Sequence, residues 1–153
     1  MPRAVEGLWV AVPLRTNGYA VGLVARCSKD GVSLGYFFGP KRAEVPAIDE
    51  VQRLSPSEAI LVQRFGDLGI HERSWPLLGV ARPWDRIAWP TPMFVRYEEL
   101  TGRSFRVSYD DDDPSEVVRE DQVPAGAAEQ GPRDGLLGSG AVEGVLTELL
   151  DHP

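Results

Sequence analysis

The first forty residues alternate apolar runs with short polar turns. Leu8 to Leu14 is apolar and β-prone, and Arg15, Thr16, Asn17 and Gly18 follow it. Asn-Gly between two hydrophobic runs is the strongest short-range hairpin cue, because both residues tolerate positive φ. The predicted returning strand is Tyr19 to Cys27. A second turn, Ser28 to Gly31, leads into a third strand, Val32 to Phe38. Three strands joined by two tight turns form an antiparallel meander. Gly22 and Gly35, inside those strands, predict the bulges or sharp coiling of a sheet that curls toward a small barrel.

Beyond Pro40 the pattern changes. Apolar residues at 47, 48, 51 and 54 fit one face of a short helix over Pro46 to Leu54, with Pro46 suited to the first turn. Ser55 to Glu58 ends it, and Ala59 to Phe65 returns to strand. Prolines 76, 83, 90 and 92 exclude long helices from residues 66–98 and favour irregular extended pieces. Ser104 to Tyr109 alternates as a strand with one wet face, and Glu116 to Val123 adds a short edge strand. Residues 124–140, rich in Pro, Gly, Ala and Ser, read as a flexible linker. Val142, Val145, Leu146, Leu149 and Leu150 recur at helical spacing over 141–151. So short a helix, with Gly144 in it, is marginal alone and needs a surface to dock on: its own body, a second copy or a partner. The expected fold is mainly β, a strongly coiled antiparallel meander or partly open barrel with one short internal helix and a C-terminal helix. The expected divisions are a β-rich body at 1–123, a linker at 124–140 and a terminal helix at 141–153, through which a homo-oligomer would form.

Composition narrows this picture. A length of 153 residues, 42% hydrophobic and 25% charged, fits one folded domain. No apolar run approaches the roughly 20 residues that span a bilayer. The N-terminal run, broken by Pro13 and Arg15, does not read as a secretory signal. Cys27 is the sole cysteine, which predicts a reducing compartment, the cytoplasm. Residues 1–109 hold 14 Lys/Arg against 11 Asp/Glu, whereas residues 110–153 hold 2 against 12. The acidic third would repel phosphates, which argues against nucleic acid, and would steer a basic protein toward it. An acidic tail that merely keeps the protein soluble gives the same composition.

Candidate chemistry is sparse. His71 sits beside Glu72 in a Gly- and charge-rich stretch, and His152 lies at the C-terminus. No Cys-x-x-Cys or His-Glu-x-x-His occurs, so no metal or cofactor is expected. Cys27, among apolar strand residues, reads as a structural thiol. Asp110, Asp111, Asp112 and Asp113 lack the alternation and the closing Glu of an EF-hand loop, and read as a solvated turn whose repulsion a basic partner would relieve. Trp75, Trp84 and Trp89 crowd one stretch with Arg86, and Trp and Arg are the residue types most enriched at binding hot spots. Packing across a barrel end is the alternative for the tryptophans. The candidate partner-binding residues are Trp75, Trp84, Arg86, Trp89 and Asp110 to Asp113; none is assigned a catalytic role.

The order of Leu8 to Leu14 with Asn17 to Ala20, Gly35 to Gly39, Arg64 to Ile70, Trp75 to Gly79, Trp84 to Arg86 and Trp89 to Phe94 resembles the immunity protein 26 family. The resemblance spans roughly residues 6–123. It implies an antidote encoded beside a polymorphic toxin, which blocks a cognate toxin by tight binding and brings no catalytic residues. The recurring Gly66, Asp67, Gly69, Trp75, Pro76 and Gly79 serve either the fold or the toxin contact. Two other functions remain open from the residues alone. One is a small-molecule barrel with a mouth lined by Trp75, Trp84 or Trp89. The other is an enzyme in which Asp67, His71 and Glu72 converge.

Overall fold

A computed structural model describes residues 2–124, 126 and 131–152. Its centre is a six-stranded sheet in the order β5-β1-β2-β3-β4-β9, formed by β1 (Leu8–Pro13), β2 (Tyr19–Cys27), β3 (Val32–Arg42), β4 (Leu61–Gly66), β5 (Leu77–Val80) and β9 (Leu136–Leu137). All its pairings are antiparallel except that of β9 with β4. A second sheet runs β6 (Phe94–Glu98), β7 (Arg103–Tyr109) and β8 (Val117–Val123), also antiparallel. The helices are α1 (Ile48–Val51), α2 (Leu68–His71) and α3 (Ser139–Asp151). The meander is present as predicted, and the sheet stays open.

Both faces of the meander are buried. Leu8, Val10, Val12, Val24 and Phe37 pack with Phe65, Ile70, Trp75 and, from α3, Val142 and Leu146. Trp9, Val21, Leu23, Ala25 and Phe38 pack on the other side with Trp89, Phe94, Val107 and Tyr109. Alternate residues of each strand therefore enter different cores, which is why the strands read as unbroken apolar runs rather than as alternating ones.

The strand glycines make room for a ring. A Cβ on Gly22 would stand 2.8 Å from the Phe37 ring, and one on Gly35 would stand 2.7 Å from Phe37 and 2.8 Å from Phe65. Phe37 thus lies across its own strand and its neighbour. A bulge of the kind expected at the strand glycines is present beside Gly35, whereas the register runs unbroken through Gly22. The register of β2 on β3 shifts between Val24 and Arg26, opposite Gly35 and Leu34. The first hairpin departs from expectation. Its loop closes from Leu14 N–H to the Gly18 carbonyl at 2.9 Å, and only Gly18, not Asn17, has positive φ.

Four other expectations are revised. The helix predicted over 46–54 is a single turn, α1. Phe94–Glu98 is a strand, masked in the sequence by Pro90 and Pro92 just before it. Of the linker, residues 125 and 127–130 lie outside the described residues, but 131–138 are tied to the body. Val95 N–H donates to the Pro132 carbonyl at 2.9 Å, Gln63 Nε2 donates to the Gly135 carbonyl at 2.7 Å, and Leu136 and Leu137 pair with β4. The terminal helix docks on its own body, since Val142 and Leu146 have no exposure. Part of the apolar face through which a homo-oligomer was expected, Val142 and Leu146, is therefore already covered, while Leu149 stays 40% exposed.

Leu146→Ala should lower stability by about 2–5 kcal/mol through the cavity it leaves. Leu149→Ala, at a position 40% exposed, should stay within about 0.5 kcal/mol. Chemical denaturation of both variants measures this, and equal effects would mean that the helix is not seated as described.

Candidate functional site

The four aspartates between β7 and β8 do different jobs. Asp110 Oδ1 accepts from the N–H groups of Asp112 (2.8 Å) and Asp113 (3.1 Å), and Asp113 Oδ1 accepts from Ser115 N–H (3.0 Å). Asp110 and Asp113 thereby build the turn. Asp111 is strapped down: it accepts from Thr91 Oγ1 at 2.7 Å and from Arg26 Nε at 2.9 Å, and pairs with Arg86 Nη1 at 3.2 Å. Asp112 reaches Arg86 Nη2 at 2.8 Å, yet its side chain stays 87% exposed.

Arg26 is the hidden partner. It is 2% exposed, and besides Asp111 it donates to the carbonyls of Ala25 (2.6 Å), Trp89 (3.0 Å) and Arg86 (3.3 Å). Strand alternation would place Arg26 on the face of Val24, toward α3. The register shift beside it turns the side chain to the face of Ala25 instead, as a bulge does. One guanidinium then joins the central sheet, the loop before β6 and the aspartate turn. Arg86 adds a second layer, with Nε donating to Glu6 Oε1 at 3.0 Å, the same oxygen that accepts from Trp84 Nε1 at 3.2 Å.

These contacts set the protonation of Asp111. Its carboxyl is held below the ordinary aspartate range by the Thr91 hydrogen bond first; burial opposes this as the next largest effect, and the hydrogen bond and charge of Arg26 with the charge of Arg86 complete the lowering. A carboxyl with a depressed folded-state pKa stabilises the fold above its unfolded pKa, and that contribution is lost as pH falls through the folded value.

The tryptophans are placed differently from one another. Trp75 is fully buried, stacked on Phe65 at 5.5 Å, and donates from Nε1 to Glu143 Oε2 at 2.9 Å. Trp89 is buried edge-on against Trp9, Tyr36 and Phe38. Neither offers a side chain to a partner. Trp84 is part-buried, its ring 3.1 Å from where a Cβ on Gly7 would stand. Two of the recurring glycines, Gly69 and Gly79, are required by close packing. A Cβ on Gly69 would meet the Trp75 ring at 2.8 Å, and Gly79, at φ +140°, lies where a Cβ would stand 2.9 Å from Ile48. Of the expected candidates the structure gathers Trp84, Arg86 and the aspartates at one place, and assigns Trp75 and Trp89 to the two cores. The residues missed were Arg26, Glu6, Thr91 and Ile87. Arg26 left a trace in the sequence, as the one charge inside the apolar run Tyr19 to Cys27.

A cavity of about 320 Å³ at this place is lined by Arg26, Arg86, Ile87, Pro90, Thr91 and Asp111. Ile87 stands beside it with 90% of its surface exposed, and its N–H donates to Asp85 Oδ1 at 3.1 Å. Trp75 and Trp89 are buried in the two cores and the cavity at this place is lined by other residues, so neither of those tryptophans lines the mouth of a ligand-binding barrel. Asp67 and His71 line one depression with Arg3 and Lys29, but Glu72 does not join them. The three residues of the enzymatic alternative therefore do not converge. The Cys27 thiol is pushed up by burial first and then by Glu6 and Asp67, which suits a packing residue. Among the described residues no group of three or more His, Cys, Asp or Glu is arranged to hold a metal ion, and no helix is long and apolar enough to cross a membrane.

Removing the Asp111 carboxylate should leave the buried Arg26 with its carbonyl acceptors but without a counter-charge or an acceptor for Nε. Asp111→Ala should therefore destabilise by about 1–3 kcal/mol, and Asp112→Ala by less than about 0.5 kcal/mol. As pH is lowered below 4, Asp111→Asn should lose less stability than the parent. Urea titrations across that range test both, and parallel pH profiles would contradict the strap.

The comparisons with known proteins bear on the same chain. The family model described as Immunity protein 26 matches residues 5–106. No curated protein and no solved structure matches.

Proposed function

Because the chain belongs to the immunity protein 26 family, we propose that it binds a cognate bacterial toxin and neutralises it by occlusion. Family membership is the observation that carries this reading. It implies a protein that acts stoichiometrically, through its surface, and not by turnover.

The surface that suits the role is the aspartate turn with Arg86, Ile87 and the edge of Trp84. Asp112 presents an exposed carboxylate and Ile87 an exposed apolar side chain, and both stand on backbone held by Arg26 and Arg86. A surface that is already ordered loses little freedom on binding. A central apolar anchor within a charged rim is the usual composition of a binding hot spot. The acid excess of residues 110–153 favours a basic toxin face and speeds encounter at low salt. The turn lies beyond the residues matched by the family model, so its role would belong to this chain and its own toxin.

Co-expression with the toxin encoded beside it should restore growth and yield a stable complex, weakened by salt. Ile87→Asp and Asp112→Lys should each weaken that complex by about tenfold or more without unfolding the chain. Failure to rescue or to form a complex would sink the function. Rescue undisturbed by both substitutions would move the contact to another face.

A further inference from the structure

Strand β8 closes the second sheet, and among the described residues nothing pairs with its outer edge. Val117 to Gln122 are all exposed. A free edge offers a row of unpaired N–H and C=O groups, and charged side chains are the usual means of restricting what can pair there. Here the charges form a pattern with a symmetry of its own. In the run Val117, Val118, Arg119, Glu120, Asp121, Gln122, Val123 the opposite charges flank Glu120.

We propose that β8 pairs antiparallel with β8 of a second copy of this chain, on a two-fold axis at Glu120, joining two three-stranded sheets into one of six strands. Antiparallel pairing about such an axis sets residues of the same face opposite each other, so each possible register is centred on one residue. Centred on Arg119 the pairing sets arginine against arginine, and centred on Asp121 it sets aspartate against aspartate. Centred on Glu120 it sets Arg119 opposite Asp121 of the second copy, twice, with Val118 opposite Gln122 as flanking pairs. No other register along the strand places opposite charges opposite each other.

The surroundings agree with that register. Arg119 and Asp121 share a face, bonded to each other at 2.6 Å, with side chains 72% and 50% exposed. Arg106 lies opposite Asp121 on β7, and Ser108 opposite Arg119. In the pair, each Asp121 would sit between Arg106, its own Arg119 and Arg119 of the second copy. The like charges at the axis are already answered, because Arg96 pairs with Glu120 within each chain. The register shift at Ser108 and Tyr109 leaves Val118 without a partner on β7, so the regular ladder is short. A contact of this size falls below the roughly 1,200 Å² of a standard interface, which makes a weak, concentration-dependent dimer the expected state.

Sedimentation velocity on the full chain, from roughly 10 μM to 1 mM, should show mass rising from 16.8 kDa toward twice that value. Arg119→Asp and Asp121→Arg should each weaken self-association at least about tenfold, because each sets like charges opposite one another. An equimolar mixture of the two variants should associate again, since each then supplies the charges the other lacks. Circular dichroism of each variant checks that the fold is kept. A chain that stays monomeric throughout, or single variants that associate like the parent, would overturn the proposal. So would protection of the β8 amides from hydrogen exchange only when the toxin is bound, which would give this edge to the toxin.

Discussion

The two-sided burial of β1, β2 and β3 is the constraint on which the rest of the chain depends. A sheet with apolar side chains on both faces has to be covered twice, and the chain does so with unlike material. One cover is helical, from α2 and α3, with Trp75 and Phe65 beneath them. The other is the three-stranded sheet and the loop that leads into it, with Trp89 at its centre. Phe37 fixes the first face by lying over Gly22 and Gly35, where any larger residue would push the ring off the sheet. At interior packing density a displacement of that kind spreads to neighbours, so the glycines and the ring act as one unit.

The layers are then tied by guanidinium groups. Arg26 and Arg86 join the central sheet to the aspartate turn, as described above. Toward the same second sheet Arg64, on β4, lies over the Tyr109 ring at 3.9 Å, reaches Asp134 at 3.5 Å and donates to the Pro114 carbonyl at 3.2 Å. The Tyr109 hydroxyl also donates to Asp134, and its pKa is raised by burial first and by that carboxylate next. Buried ion pairs of this sort add little net stability, because desolvation offsets their attraction; their use is to make one docking geometry better than its neighbours. For a protein whose work is to present a surface, that is the useful property.

The turn shows how a run of identical residues acquires separate roles. As sequence, Asp110 to Asp113 is one acidic block whose repulsion a basic partner would relieve. As structure, two members build the turn, one is held by the protein's own arginines, and one is left for the solvent side. The relief of repulsion comes largely from within the chain. What remains for a partner is the most exposed of the carboxylates, that of Asp112, beside an exposed isoleucine, a smaller and better-defined surface than four aspartates in a row.

Local chemistry alone determined much of this protein. The meander, the strand before Tyr109, the edge strand after the turn, the terminal helix and the family were legible in runs, turn residues and motif order. Even the demand for two covers was written in the unbroken run from Leu8 to Leu14, since a strand with one wet face would alternate. What covers each face was not legible, because it depends on contacts between residues 67 to 81 positions apart, such as Trp75 and Phe65 meeting Val142 and Leu146. Phe94–Glu98 was hidden by prolines that end just where the strand begins. The fate of Arg26 belongs to the same class. Alternation places it on the helical side, and only the register shift of β2 on β3, which requires both strands in place, turns it toward the aspartates. Periodicity fixes where a side chain points along one strand; which neighbour it reaches is decided by pairing and packing that no single segment contains.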